Sequence, residues 1–520
     1  MGRVRALSTV TSTVAPAAER LALATRPARA PTRAYLAYLA LILALAAVLR
    51  VWQLNSTGFN SDEAVYAGQA AAIAGHPELG ELFPIFRAHP LLVQTVLSVG
   101  FQLHLAEGFE RLTVATVGVA TVYLVYELGR LLYGRPAGLI AALLMALMPY
   151  HVVVTRQVLL DGPMTFFATL TVLLLARFVL SGRSGWLYCA GAAMGLTFLS
   201  KETSIVLLGA IYAFLALTPE LRVRLRDLAV SLGVMALVIA PFPLSLMLAG
   251  RTGTGESYLT WQLLRRPNHD WLFYPTTVPE AIGPLLLLAA VVGLWLLRRE
   301  ASWRETLLVS WIAVPVVFFW LWPVKGFQYL LPVAPALAVL AARALYRLPM
   351  PTARGLTSLG VAIVALSLLI PTWKRVQGAR PDTFLAGSGG LPGGRETGQW
   401  IDANVPEGST FMTIGPSMAN LVQYYGRRKA YGLSVSPNPL NRNPSYEALT
   451  NPDRAIRDSE LQYVVWDTFS AGRSASFSKK LLSYVDRYDG RVAHTEVLPA
   501  KTALGESSDR PAIVVFAVRP

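Results

Sequence analysis

Between residues 34 and 373 the sequence passes through one long apolar stretch after another, joined by short basic connections. A membrane span needs about 20 mostly apolar residues. Candidates lie at 34–54, 111–133, 136–154, 161–181, 186–200, 202–217, 227–249, 281–298, 304–323, 328–346 and 355–373. The chain is 54% hydrophobic and 15% charged, against about 25% charged residues in soluble domains. The expected class is a polytopic α-helical membrane protein with 11 spans. The net charge of +15 does not point to nucleic acid. Its arginines cluster between apolar runs, the pattern of cytoplasmic loops. The single cysteine, Cys189, excludes an intrachain disulfide and a cysteine-built zinc cluster.

The positive-inside rule sets the expected orientation. With the N-terminus inside and residues 90–106 not spanning, Arg130, Arg135, Arg183, Arg222, Arg224, Arg226, Arg298, Arg299, Arg343, Arg347 and Arg354 all fall on the cytoplasmic side. If 90–106 spans, they all move outside. Residues 1–33 then read as a disordered basic cytoplasmic tail and 34–373 as the membrane domain, with 55–110 a long external loop. Residues 374–395 are rich in Gly, Pro and Arg and read as a linker. The segments "GQWIDANVP", "STFMTIG", "LQYVVWD", "FSKKLLSYVDRY" and "AIVVFAVRP" alternate helical and strand patterns, so 396–520 is expected to be an extracytoplasmic α/β domain.

This topology gathers charged residues on the outer face. They are Asp62 and Glu63, then Arg87 and His89 in "FRAHP", Asp161 beside Arg156, and Lys201 with Glu202 in "FLSKETSIV". Arg251, Arg265, Arg266, His269 and Asp270 lie in the loop 250–280, and Lys325 in "WPVKGFQYLLP". Ionisable groups near membrane depth are costly and by default suggest function. A carboxylate can take a proton from an attacking hydroxyl or hold a metal, and Lys and Arg can meet the charge of a phosphate leaving group. Plainer roles stand beside these. Asp62 and Asp161 could be helix N-caps, Lys201 a snorkelling lysine, Arg87 and His89 headgroup contacts, and the arginines of 250–280 surface charge.

The ordered pieces "LRVWQLNSTGFNSDEAVY", "RAHPLLVQTVLSVGFQLHLAEGFERLTVATVGV", "RQVLLDGPMTFF", "GLTFLSKETSIVLL" and "KGFQYLLPVAPALAVLAA" resemble the GT-C glycosyltransferase superfamily. The resemblance is to the branch of protein O-mannosyltransferases and lipid A aminoarabinose transferases, over residues 45 to 345. It implies a GT-C fold and inverting transfer of one sugar from a polyprenyl-phosphate donor to an acceptor outside the membrane. Carried over, Asp62 is the general base, Glu63 shapes its loop and Asp161 is a polar anchor. Lys201, with Arg87 or His89, grips the donor phosphate. Lys325 is a further phosphate candidate, and Arg265, Arg266 and His269 form a substrate loop. His89 and Ala88 stand where aminoarabinose transferases have Lys and a metal-associated Glu, and Gln328 where many members have Arg. No cofactor is therefore assigned, and a divalent metal is left open.

The expected protein is an inner-membrane, multi-pass enzyme whose acceptor is a lipid, glycan or protein. One alternative is an oligosaccharide ligase or polymerase that uses a lipid-pyrophosphate donor. A non-enzyme alternative is a transporter or flippase, which would show internal repeats around a midplane site. No clear repeat is visible.

Overall fold

The computed structural model describes residues 33–85, 89–250, 261, 262, 265, 267–347, 354–377, 391–501 and 507–519. The expected basic tail lies outside these residues up to position 32, as do most of the expected linker, Arg87, Arg251 and Arg266.

Each apolar run between residues 34 and 373 is helical where the structure describes it. Among the described residues, seven helices are long and apolar enough to cross a membrane, and up to nine spans result if two bent pairs each count as one. The expected 11 is therefore not reached. The shortfall comes from Ser184–Ser200, at 17 residues, and from the short apolar segment Glu202–Ala216. Arg135–Leu147 and Pro149–Thr155 meet at 59°, and Phe273–Ile282 and Pro284–Leu296 at 95°. Both bends fall at prolines that start a new helix, and Gly283 turns the second with φ +105. Leu92–Gln102 has 11 residues; it rises about 16 Å, near half of a bilayer core.

Burial sorts the helices into layers. The segment Phe327–Arg347 is central, with 83% of its apolar window buried, while Leu225–Leu248 is peripheral at 11%. The peripheral segment leaves Leu225, Leu237 and Leu248 exposed. In water this would be a large apolar liability; against lipid it is the ordinary outer surface of a bundle.

After Val376 the next described helix is Gly394–Asn404, which leads into a small α/β domain. Its strands are β1 (Thr410–Thr413), β2 (Lys429–Gly432), β3 (Tyr463–Asp467), β4 (Arg491–Lys501) and β5 (Ser507–Ala517), ordered β2-β1-β3-β5-β4. β1 pairs in parallel with β2 and β3, while β5 is antiparallel to β3 and β4. The helix Pro416–Gly426 joins β1 to β2 as a crossover. It rests on the membrane domain. Asn420 donates to Ser61 Oγ at 2.8 Å, Phe59 N donates to the Tyr425 hydroxyl at 2.9 Å, and Gln423 donates to the Leu82 carbonyl at 3.0 Å.

Candidate active site

Asp62 and Glu63 open the helix Ser61–Ile73. The cap of that helix is Asn60, whose side chain accepts from the backbone N–H of Asp62 and Glu63, while Glu63 returns a bond to the Asn60 N–H. This is a capping box, and it leaves Asp62 without a capping role. Glu63 is fully buried, and Arg111 donates to both its oxygens at 2.7 Å. Val158 N donates to the same carboxylate at 2.9 Å. Arg111 also donates to the carbonyls of Leu54, Thr57 and Gly58. Glu63 thus ties the first loop to the start of Phe109–Tyr133 and to the stretch before Asp161. The Asp62 carboxylate makes no hydrogen bond or ion pair among the described residues, and it faces a cavity.

Asp161 and Lys201 meet for a geometric reason. Asp161–Ser181 runs one way, Gly182 turns the chain at φ +65, and Ser184–Ser200 returns beside it. The start of the first helix therefore sits at the end of the second. Lys201, in extended backbone at the helix break, donates to both Asp161 oxygens at 2.9 and 2.8 Å. Both side chains are buried. The structure thus gives neither the cap nor the snorkelling arrangement. The residue capping Asp161–Ser181 is Leu160, with no side-chain bond. The Lys201 ammonium also lies 4.9 Å from the centre of the Tyr329 ring.

The cavity has a volume of about 640 Å³. The membrane domain contributes Asp62, His89, Lys201, Arg265, His269 and Lys325 to its lining, and Gln328 reaches it as well. His89 holds Glu202 at 2.7 Å. Lys325 is positioned by Asn268, whose amide pairs with the Lys325 backbone through two 2.8 Å bonds. Its ammonium donates to the Trp322 carbonyl and lies over Trp271. Arg265 lies over the Trp261 ring, and His269 stacks on Phe273 at 4.0 Å.

Asp62, His89, Lys201, Arg265, His269 and Lys325 are therefore brought together, whereas Glu63 and Asp161 stand behind the wall as supports. Among the described residues no three His, Cys, Asp or Glu side chains gather as a metal set. The residues around Asp62 do not fit a resident divalent ion, since its neighbours Lys201 and His89 are cationic or already bonded to an acid.

Burial raises the Asp62 pKa above the ordinary carboxylate value, against the opposing pull of Lys201 and His89. Burial, then the Arg473 charge, lowers that of His269. The site can therefore offer one partly buried carboxylate as a proton acceptor within a predominantly cationic cavity.

Sequence reasoning missed Arg111 and the Asn60 cap. A roof from the C-terminal domain was expected, but none of its residues was named. Arg111 had a visible signal, an arginine at the very start of an apolar run. The roof residues had none, because they lie more than 350 positions beyond Asp62.

Residues 88–246 match the family model described as dolichyl-phosphate-mannose-protein mannosyltransferase. Two Bacillus subtilis proteins, YycA and YkcB, both named for an inferred mannosyltransferase role, are similar over shorter stretches. YycA is 35% identical over 111 residues, 21% of this chain and 16% of that protein. YkcB is 30% identical over 156 residues, 29% of this chain and 21% of that one. The matched stretch is thus about a fifth or less of either relative. In structure, the chain overlays ArnT of Cupriavidus metallidurans bound to undecaprenyl phosphate with a TM-score of 0.71 at 17% identity, covering 92% of this chain and 98% of that one. It overlays AglB, the oligosaccharyltransferase of Archaeoglobus fulgidus, with a TM-score of 0.59 at 15% identity, covering 92% and 74%. By these overlays the chain has the GT-C fold, and within it residues 88–246 match the mannosyltransferase family model.

Proposed function

We propose that the protein moves a single sugar from a polyprenyl-phosphate donor to an acceptor hydroxyl, with inversion, on the outer side of the inner membrane. The observation that carries this reading is Asp62, an unpaired carboxylate facing a cavity whose other acid, Glu202, is bonded to His89 and whose remaining lining is cationic or neutral. An inverting displacement needs a base opposite the leaving group. Asp62 takes the acceptor proton as its oxygen attacks the anomeric carbon. The bond to the lipid phosphate breaks, and the phosphate leaves carrying its negative charge. No nucleotide is needed once cations meet that charge.

The cations divide into two kinds. Lys201 is already bonded to Asp161, so its charge is largely offset, and it serves to orient the donor. Lys325 and Arg265 have no acid partner among the described residues and are the better grip for the phosphate. His89, bonded to Glu202, lines the wall beside Tyr66. The C-terminal domain over the cavity limits water, which would otherwise hydrolyse the donor. The donor class is supported by the ArnT likeness, since that structure holds undecaprenyl phosphate. With the N-terminus inside, the α/β domain and the cavity both lie outside, which agrees with the placement of the basic loops.

The test is sugar transfer or donor hydrolysis by the purified chain in lipid nanodiscs, with a panel of polyprenyl-phosphate sugars. Turnover of one donor, reduced by about a hundredfold or more in Asp62→Asn, is the expected result for a lost general base. Equal turnover in wild type and Asp62→Asn would remove Asp62 from the chemistry. Turnover of lipid-pyrophosphate oligosaccharides alone would favour the ligase reading.

A further inference from the structure

The three parallel strands of the C-terminal domain all end at the cavity. β1 ends at Thr413, β2 at Gly432 and β3 at Asp467. The segments leaving those ends place Ser417, Ser434, Ser436 and Arg473 on the cavity wall, and the longer connection after β2 adds Arg442 and Tyr446. The carboxyl edge of an open α/β sheet is the usual ligand-binding edge, because the connecting loops converge there. Here that edge is turned toward the acid of the membrane domain. The helix Pro416–Gly426, which follows β1, is the same one that bonds to Ser61, next to Asp62.

The charge on this wall is one-sided. It holds two arginines and no Asp or Glu. The Arg442 guanidinium has no hydrogen-bond or ion-pair partner among the described residues. Arg473 lies 4.7 Å from the centre of the Phe469 ring, and its charge reaches His269 of the membrane domain. A donor monophosphate is served by Lys325 and Arg265 from the membrane side. A second pair of arginines, on a separate body and beside three serine hydroxyls, suits a second anion.

We propose that the carboxyl edge of the C-terminal sheet is an acceptor site, in which Arg442 and Arg473 hold a phosphate or carboxylate carried by the acceptor saccharide. This rests on the transferase reading above. The C-terminal domain then selects the acceptor, and the membrane domain selects the donor. Anchoring the acceptor by its anionic group leaves a neighbouring hydroxyl free to reach Asp62.

The experiment uses the full chain in nanodiscs and reads tryptophan fluorescence, since Trp261 lines the cavity. The probes are glucose 6-phosphate, glucuronate, glucose and undecaprenyl phosphate. One or both anionic sugars should bind and glucose should not; which anion binds names the acceptor group. Arg442→Ala and Arg473→Ala should each weaken that sugar about tenfold, the loss of one charge-assisted hydrogen bond, and leave undecaprenyl phosphate unchanged. The unchanged lipid affinity also shows that the variants are folded. Three results overturn the proposal: no binding of either anionic sugar to wild type, equal binding to wild type and both variants, or equal weakening of sugar and lipid phosphate. The last would place the arginines on the donor. Failure of the transferase reading would look different, as loss of undecaprenyl phosphate binding in wild type or full turnover in Asp62→Asn.

Discussion

Arg111 grips Glu63 with two 2.7 Å bonds, while Asp62, the residue just before it in the chain, faces the cavity with no partner for its carboxylate among the described residues. Adjacent acids in one helical turn thus have opposite environments. The turn separates their directions by about 100°, so one points into the protein and the other into the cavity.

The first prediction follows from that contrast. Arg111→Met leaves Glu63 as a buried charge without its counter-ion, a loss of roughly 3–5 kcal/mol. Thermal unfolding in detergent should show a large fall in midpoint. Asp62→Asn keeps volume and breaks no bond, so its stability should stay within about 0.5 kcal/mol of wild type. The two substitutions separate the structural acid from the reactive one.

The second concerns pH. A general base works deprotonated, so kcat/KM should fall as pH drops through the Asp62 pKa. Burial raises that value, and Lys201 and His89 hold it down. The acid limb should therefore lie above the ordinary carboxylate range. Removing the lowering charge with Lys201→Met should move the residual activity's limb to higher pH. A limb that stays in place in Lys201→Met would show that another group titrates.

Much of this architecture was readable before any coordinates. Each apolar run between residues 34 and 373 is helical, and the strand-like segments after residue 396 supply β1, β3 and β5. Asp62, Lys201, His269 and Lys325 were singled out by charge near membrane depth, and all four line the cavity. The division of labour among them was not readable. Whether Glu63 or Asp62 faces inward depends on Arg111, 48 residues away. Whether Asp161 caps a helix or binds Lys201 depends on where Gly182 turns the chain. The arginines of the C-terminal wall could not be placed either, because strand order decides which loops share an edge.

The third prediction tests the Asp161–Lys201 pair. Its side chains are only 2% and 5% exposed. Asp161→Asn and Lys201→Met should each reduce donor turnover, and the double variant should lose less than the sum. The expected coupling is roughly 0.5–3 kcal/mol, the range for residues in direct contact. Additive losses would mean that the two act on separate steps.

The fourth addresses the seat of the C-terminal domain. Phe59 N donates to the Tyr425 hydroxyl, and Tyr425 packs against the Phe59 ring with centroids 5.9 Å apart. Tyr425→Phe retains the ring and removes the acceptor, at a cost of about 1–3 kcal/mol for the partly buried N–H left without it. Phe59 directly precedes the Asn60 cap, so the substitution loosens the entry to the Asp62 helix and leaves Lys325 and Arg265 untouched. The expected kinetic result is a lower kcat with little change in donor KM. A raised donor KM with unchanged kcat would instead tie this contact to donor binding.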